Sequence, residues 1–415
     1  MVVLSKENIT EYLKEQMPDL DYSRPLIISE IGEGTQEEDG DGYVNYVFRV
    51  SDGKRKLILK QARSVGRVTG FTGMCMQRTA VEYDYMKIGR VIVPEYIPEL
   101  YFYDDKNLVF AVEDVSYLKI SRFQLNKSEM FPKMAQQAAD YLARMHFYTS
   151  DYYLETEVFR KLQIRFMNSK MRQFFDDQTF VSRDCGEAGD MGFELNPEYA
   201  EDIRTLILDP RVILERHKLR DLYMRKAEAL LHADFHTSNV FVSKEQLKAI
   251  DMEFAFFGPA AYDLGYLQAN LLSQCACGVF RPFNSRQKRL EFVGFILATM
   301  QLIFTEYCKI FFRCWDKDAK DIYQGVPGLQ EHVKKQLLQD MIGFCANSHI
   351  FRCAADIRYP EYDDLADKTA IRNAKLLSLA MDHRMILRRA EYADAQEWID
   401  DMLSMVKNFL ENCDH

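Results

Sequence analysis

The sequence carries no surplus of positive charge. Its 53 lysines and arginines face 63 acidic residues, a net charge of −10 with a pI near 5.5, which argues against wholesale nucleic-acid binding by phosphate neutralisation. It also lacks a cysteine framework. Nine cysteines, an odd number, are scattered over 415 residues, and neither Cys275-x-Cys277 nor the Cys308/Cys314 pair has partners at zinc-site spacing. Long hydrophobic runs are missing too. The longest, Phe292–Phe304, is interrupted by Gly294, Thr299 and Gln301; it is too short to span a bilayer and reads as a buried helix. The opening Met-Val-Val-Leu-Ser-Lys-Glu-Asn has no charged-then-apolar secretory pattern, and internal repeats and low-complexity tracts are absent. These absences point to a cytoplasmic chain with neither nucleic acid nor membrane as partner.

What the sequence does contain is an ordered set of polar residues at 230–265. His232, Asp234 and Asn239 form an H-x-D-x-x-x-x-N pattern. A hydrophobic strand follows and ends on Asp251. Phosphoryl transfer needs this layout: one carboxylate meets an acceptor hydroxyl, while an amide five residues on shares a metal with a second carboxylate from a neighbouring strand. Asp234 is thus the expected catalytic group, accepting the proton of the attacking hydroxyl. Asn239, Asp251 and Glu253 are hard oxygen donors suited to Mg²⁺. His232 reads as structural. His236 suits a place near the substrate or a capping, solvated role, and Asp263 a helix cap that braces the catalytic loop.

Upstream, the pattern divides the chain. Residues 7–17 predict a short amphipathic helix. From Leu26 come strand-like runs: 26–31, 43–50 and 57–60, with Ser51-Asp52-Gly53 as a hairpin turn, then 99–103 and 108–112 around a helix at 79–90. Beyond Val115 the periodicity is helical, at 131–148, 153–176, 198–207, 212–230, 263–275, 286–313, 327–353 and 366–409, with strands only at 240–242 and 248–250. The expected fold is α+β, a two-lobed protein-kinase-like architecture. Residues 1–115 form a small, mainly antiparallel β lobe with one helix that holds the nucleotide; residues 116–415 form a large helical lobe for catalysis and substrate binding.

The glycines at 32–42 sit between two strands, where backbone amides can approach phosphates, or where an ordinary hairpin loop would lie. Gly40–Asn45 is expected nearest the nucleotide, with Glu37–Asp39 in solvent. Lys60, anchored on a strand, can reach the α/β-phosphates and pair with Glu82 of the next helix. Glu113, Asp114 and Val115, at the crossing between lobes, can bond the adenine edge through their backbone; Asp114 reads equally as a linker carboxylate.

These residues resemble the aminoglycoside phosphotransferase/choline kinase group of small-molecule kinases, and within it the methylthioribose kinases. The resemblance rests on His232-x-Asp234-x-x-x-x-Asn239, on Asp251 and Asp263-Leu264, and most selectively on Ile-Asp-Met-Glu-Phe-Ala-Phe-Phe-Gly-Pro at 250–259, where Asp-x-Glu stands in place of Asp-Phe-Gly. Gly-Asp-Gly-x-x-Asn-Tyr-Val-Phe-Arg-Val at 40–50 and Leu-Lys-Gln-Ala at 59–62 agree. It implies ATP contacts at Asn45, Lys60, Glu113–Val115, Asp251, Met252 and Glu253, sugar contacts at Asp234 and Arg352, phosphorylation of the sugar 1-hydroxyl in methionine salvage, and a homodimer. The chain departs from the family at Phe351-Arg352, where an arginine pair is usual, at Ala233 for a glycine, in the insertion at 35–38, and in Phe71 and Met74 for a loop tryptophan. Alternative acceptors are choline, homoserine or another sugar. A further alternative is an inactive nucleotide-binding scaffold.

Overall fold

The computed structural model describes residues 1–32, 37, 45–64, 75–181, 200–282, 285–354 and 359–413. Its N-terminal part is a five-stranded antiparallel sheet of order β1-β2-β3-β5-β4. The strands are β1 (Ile27–Glu30), β2 (Tyr46–Ser51), β3 (Lys56–Gln61), β4 (Leu100–Asp104) and β5 (Val109–Glu113). The β2–β3 turn is made by Asp52, whose Oδ1 accepts from the amides of Lys54 and Arg55 at 2.8 and 2.6 Å, and by Gly53 at φ +89°. That turn sets Phe48 opposite Leu59 and Val47 opposite Lys60.

Strand alternation then sorts the side chains. Phe48, Val50, Leu57, Leu59, Val109 and Ala111 face a cluster with Ile9, Tyr12 and Leu13 of the first helix, Ile9–Gln16. On the opposite face Phe110 and Val112 pack with Val81, Tyr85 and Met86 of the helix Arg78–Ile92. Lys60, in register with Phe110, therefore points toward that helix.

The remainder is mostly helical. At its centre lies Ala261–Gly278, in which every residue but Tyr266 is buried, so it is enclosed by protein nearly all round. Around it pack Arg286–Asp318, Leu329–Ala354 and Lys368–Arg388. Gly265 allows the closest approach: a Cβ there would lie 2.8 Å from the Cys345 nitrogen and 2.8 Å from the Met341 carbonyl oxygen. Arg286–Asp318 is long and apolar enough to cross a membrane by length and composition, but here its apolar residues pack against Met134–Tyr148, Ala261–Gly278 and Ala395–Cys413.

Several element expectations need correction. The stretch 153–176 is two helices, Thr156–Arg165 and Ser169–Asp176, separated where Asn168 takes φ +42°. The stretch 366–409 is also two, Lys368–Arg388 and Ala395–Cys413. The helix expected over 212–230 stops at Arg225, because residues 229–231 form strand β7 (Ala229–Leu231). Strands β6 (Lys119–Ile120) and β10 (Phe256–Gly258) were not expected. Strands of two or three residues are too short to show alternation, so periodicity cannot detect them. β7 pairs with β10, and β6 with β8 (Val240–Val242), which pairs with β9 (Leu247–Ala249).

Candidate active site

The loop expected to be catalytic is the connection from β7 to β8. Its backbone is held by Asp263, whose two oxygens accept from the His232 and Ala233 amides at 2.7 and 2.8 Å. Asp263 lies within the central helix and does not cap it; its expected bracing role holds, its capping role does not. His146 Nε2 lies 3.2 Å from Asp263, and its Nδ1 lies 3.0 Å from the Tyr307 hydroxyl. His232 is structural as expected, with Nε2 2.9 Å from the Ile250 carbonyl. Ala233 sits in the left-handed region at φ +66°, which explains why glycine is comfortable at this position. Asn239 closes the loop: its amide donates to the Asp234 carbonyl at 2.9 Å and to Asp234 Oδ2 at 3.3 Å. That leaves its amide oxygen as the group Asn239 can offer a cation.

Opposite the loop, Lys60 Nζ pairs with Glu82 at 2.7 Å and with Asp251. Asp251 occupies the left-handed region at φ +68°, a conformation that asparagine and aspartate tolerate best after glycine. Glu253 is bracketed by the small lobe: Asn45 Nδ2 donates to it at 2.6 Å and Arg78 Nε lies 3.2 Å away. Arg78 also donates to Asn45 Oδ1 at 3.0 Å. From the other side, Asn168 Nδ2 donates to the Glu253 and Ala255 carbonyls at 2.9 and 3.0 Å, which holds the Asp251–Ala255 backbone in place.

Oxygens of Glu82, Asp251 and Glu253 lie within 4.8 Å of one another. Burial pushes all three carboxyls upward. Lys60 outweighs it at Asp251, which falls below its ordinary value, whereas Glu82 and Glu253 stay above theirs by burial and the charge of Asp251, to which Glu253 adds at Glu82. Three carboxyl groups beside Lys60 and Arg78 gather hard oxygen donors at one point, so the residues fit a divalent cation.

A cavity of about 630 Å³ joins these groups. Asn45, Lys60, Glu82, Asp234, Asn239, Asp251 and Glu253 line it, as do Glu113, Asp114 and Val115 of the lobe crossing and Arg352 from the helix Leu329–Ala354. Met252, expected at the nucleotide, instead lies fully buried in the hydrophobic core. Asp114 accepts from Arg49 Nε at 3.1 Å and the Ser116 amide at 2.9 Å, which suits its linker reading. Glu37 is exposed and pairs with Lys127. Gly40–Val44, Phe71 and Met74 lie outside the described residues.

Several site residues carried no local signal. Arg122, Phe174, Phe175, Tyr266 and Tyr359 also line the cavity. Phe175 stacks edge-on to Phe254 with centroids 4.5 Å apart, and the Arg352 guanidinium lies 4.2 Å from the Tyr359 ring centroid. Burial and the nearby Asp234 push the Tyr266 hydroxyl well above its ordinary value. This part of the cavity is therefore lined by rings together with the guanidinium groups of Arg122 and Arg352.

A family profile described as "Phosphotransferase enzyme family" matches residues 35–274. Methylthioribose kinase of Geobacillus thermodenitrificans (strain NG80-2) is 30% identical over 377 residues, covering 90% of each chain. Methylthioribose kinase of Bacillus cereus (strain AH820) is 29% identical over 360 residues, 86% of this chain and 88% of its own. Among solved structures, a choline kinase from Cryptosporidium parvum Iowa II aligns over 98% of this chain and 99% of its own, at 14% identity and a TM-score of 0.46.

Proposed function

The chain belongs to the phosphotransferase enzyme family, and from that premise we propose that it transfers the γ-phosphoryl group of ATP to the 1-hydroxyl of 5-methylthioribose. The observation that carries this reading is the convergence of Asp234, Asn239, Lys60 and Asp251 on one cavity between the lobes. Asp234, oriented by the Asn239 amide, accepts the proton of the attacking hydroxyl late in transfer. Lys60, held by Glu82 and Asp251, is placed to meet the α/β-phosphates, and the backbone at Glu113–Val115 to meet adenine. A divalent ion, Mg²⁺ by the hardness of its donors, would be held by Asp251, Glu253 and Asn239 and would neutralise charge on the transferring group. Positioning and charge stabilisation suffice for such a reaction, with no covalent phosphoenzyme. The same reading gives a cytoplasmic homodimer in methionine salvage, without nucleic-acid or membrane partners.

Choline would need its cation caged by rings and a free carboxylate. The rings are present, but Arg352 already faces Tyr359, and the carboxylate beside it, Glu361, is paired with Arg352 and faces Arg122 at 3.8 Å. That arrangement favours a neutral polyol. Phosphorylation of a panel of alcohols tests the assignment: methylthioribose should be turned over fastest, and robust choline turnover with none of methylthioribose would sink it. In the Asp234→Ala variant kcat should fall roughly 10²-fold or more with ATP binding retained. Near-normal turnover would remove Asp234 from the mechanism.

A further inference from the structure

Away from the interlobe cavity, two helices bring three metal-ligating side chains to one buried point. We propose that His349, Cys353 and Asp382 form a zinc site, separate from the carboxylate cluster at Lys60, that pins the helix Leu329–Ala354 to the helix Lys368–Arg388. The site goes beyond the reading above and does not depend on which alcohol is the acceptor.

His349 and Cys353 stand four residues apart on one helix and so share a face. Asp382 comes from the helix packed against it. One ligand atom from each lies within 4.8 Å of the others, and all three residues are buried. His349 Nδ1 lies 2.9 Å from Asp382 Oδ1, and Cys353 Sγ lies 3.4 Å from Asp382 Oδ2. Nitrogen, sulfur and oxygen in one donor set are the mixture zinc takes, whereas Mg²⁺ and Ca²⁺ prefer oxygen alone. The imidazole is also oriented from outside. The Tyr362 hydroxyl lies 3.3 Å from His349 Nε2 and 3.0 Å from Ser378 Oγ. By accepting from Nε2–H it leaves the Nδ1 lone pair aimed where the carboxylate and the thiol converge, as an outer partner does for a liganding histidine. Charge adds a further argument. Asp382 is fully buried, yet among the described residues no lysine or arginine pairs with it; its partners are the imidazole and the thiol. A buried carboxylate is stable only beside a compensating cation. One thiolate and one carboxylate around a neutral imidazole balance the two charges of zinc, and the thiol proton leaves to solvent on binding. Three protein ligands leave the fourth tetrahedral position to a water.

Metal content and the ligand set test the site. The full chain, purified from zinc-supplemented medium and dialysed against a weak chelator, should retain about one zinc per molecule. Cobalt exchanged for that zinc should give a thiolate-to-cobalt charge-transfer band, which the all-oxygen cluster of Glu82, Asp251 and Glu253 cannot produce. Metal and band should be lost in Cys353→Ser and persist in Cys75→Ser, which removes a half-buried thiol outside the site; ADP affinity reports folding in both variants. If Cys353→Ser does not fold, X-ray absorption on the wild-type zinc decides. A coordination shell with sulfur and imidazole supports the site, and a shell without sulfur overturns it. Retention of less than about a tenth of an equivalent of zinc by wild type, or metal binding and a cobalt band unchanged in Cys353→Ser, overturns it as well.

Discussion

Replacing Asp263 by Asn tests how the catalytic loop is held. The carboxylate accepts from two backbone amides, His232 at 2.7 Å and Ala233 at 2.8 Å, and meets His146 at 3.2 Å, all without solvent exposure. An asparagine can keep only one oxygen there. In its better orientation that oxygen takes the place of Oδ2, keeping His232 and His146 and turning its NH₂ toward the Ala233 N–H. Two charge-assisted bonds then become neutral ones, at about 1 kcal/mol each, and one buried N–H loses its acceptor at about 1–3 kcal/mol. The sum, about 4 kcal/mol, is a large share of the roughly 5–15 kcal/mol that holds a domain together. Because Ala233 immediately precedes Asp234, the freed amide also lets the Asp234 carboxylate drift, and if it is the reacting group as proposed, displacement by about 1 Å costs on the order of 10² in rate. Urea unfolding and steady-state kinetics read the two effects, with ADP binding as control. A loss below about 1 kcal/mol together with kcat within about threefold of wild type would show that Asp263 does not hold the loop.

Further substitutions test the packing and the charges. Gly265→Ala should destabilise by about 3 kcal/mol in denaturant unfolding, because its Cβ meets backbone atoms of Cys345 and Met341 that cannot step aside; a cost under about 1 kcal/mol would mean that the helices separate freely. Ala233→Gly should change stability by less than about 1 kcal/mol, since relief of the left-handed strain at φ +66° is offset by a buried methyl and by unfolded-state entropy. Glu361 supplies a pH dependence. Burial pushes its carboxyl up, but Arg352 and then Arg122 hold it down at about 2 against an ordinary 4.5. A depressed carboxylate stabilises fully above its unfolded value and loses that contribution as pH falls. Between pH 4.5 and 2 the loss should reach about 3 kcal/mol, at roughly 1.4 kcal/mol per pH unit. Urea midpoints measured over that range should fall more steeply for wild type than for Glu361→Gln; parallel curves would refute the assignment.

The parts of this molecule legible from sequence are those whose geometry is local. Eight residues, His232 to Asn239, close on themselves through the Asn239–Asp234 contacts, so their spacing alone announces a loop with a carboxylate at its tip. Lys60 sits on a strand in register with Phe110, and Glu82 lies on the next helix, so their pairing followed from element order. Long amphipathic helices were read for the same reason: their signal repeats every turn.

Residues that act across the chain left no such trace. Arg78 meets Glu253 and Asn168 meets the Glu253 carbonyl through tertiary placement alone, and a buried arginine or a left-handed asparagine looks in sequence like any surface polar residue. Arg122 is the sharpest case. Nothing in Ser-Arg-Phe at 121–123 distinguishes it from a solvated helix start. What the sequence could not say is that the helix Ser121–Asn126 is fastened to Thr237 at one end and Asp364 at the other, which brings Arg122 into the lining of the same cavity as Arg352. Motif matching along the chain therefore misses cavity-lining residues that tertiary placement alone brings in.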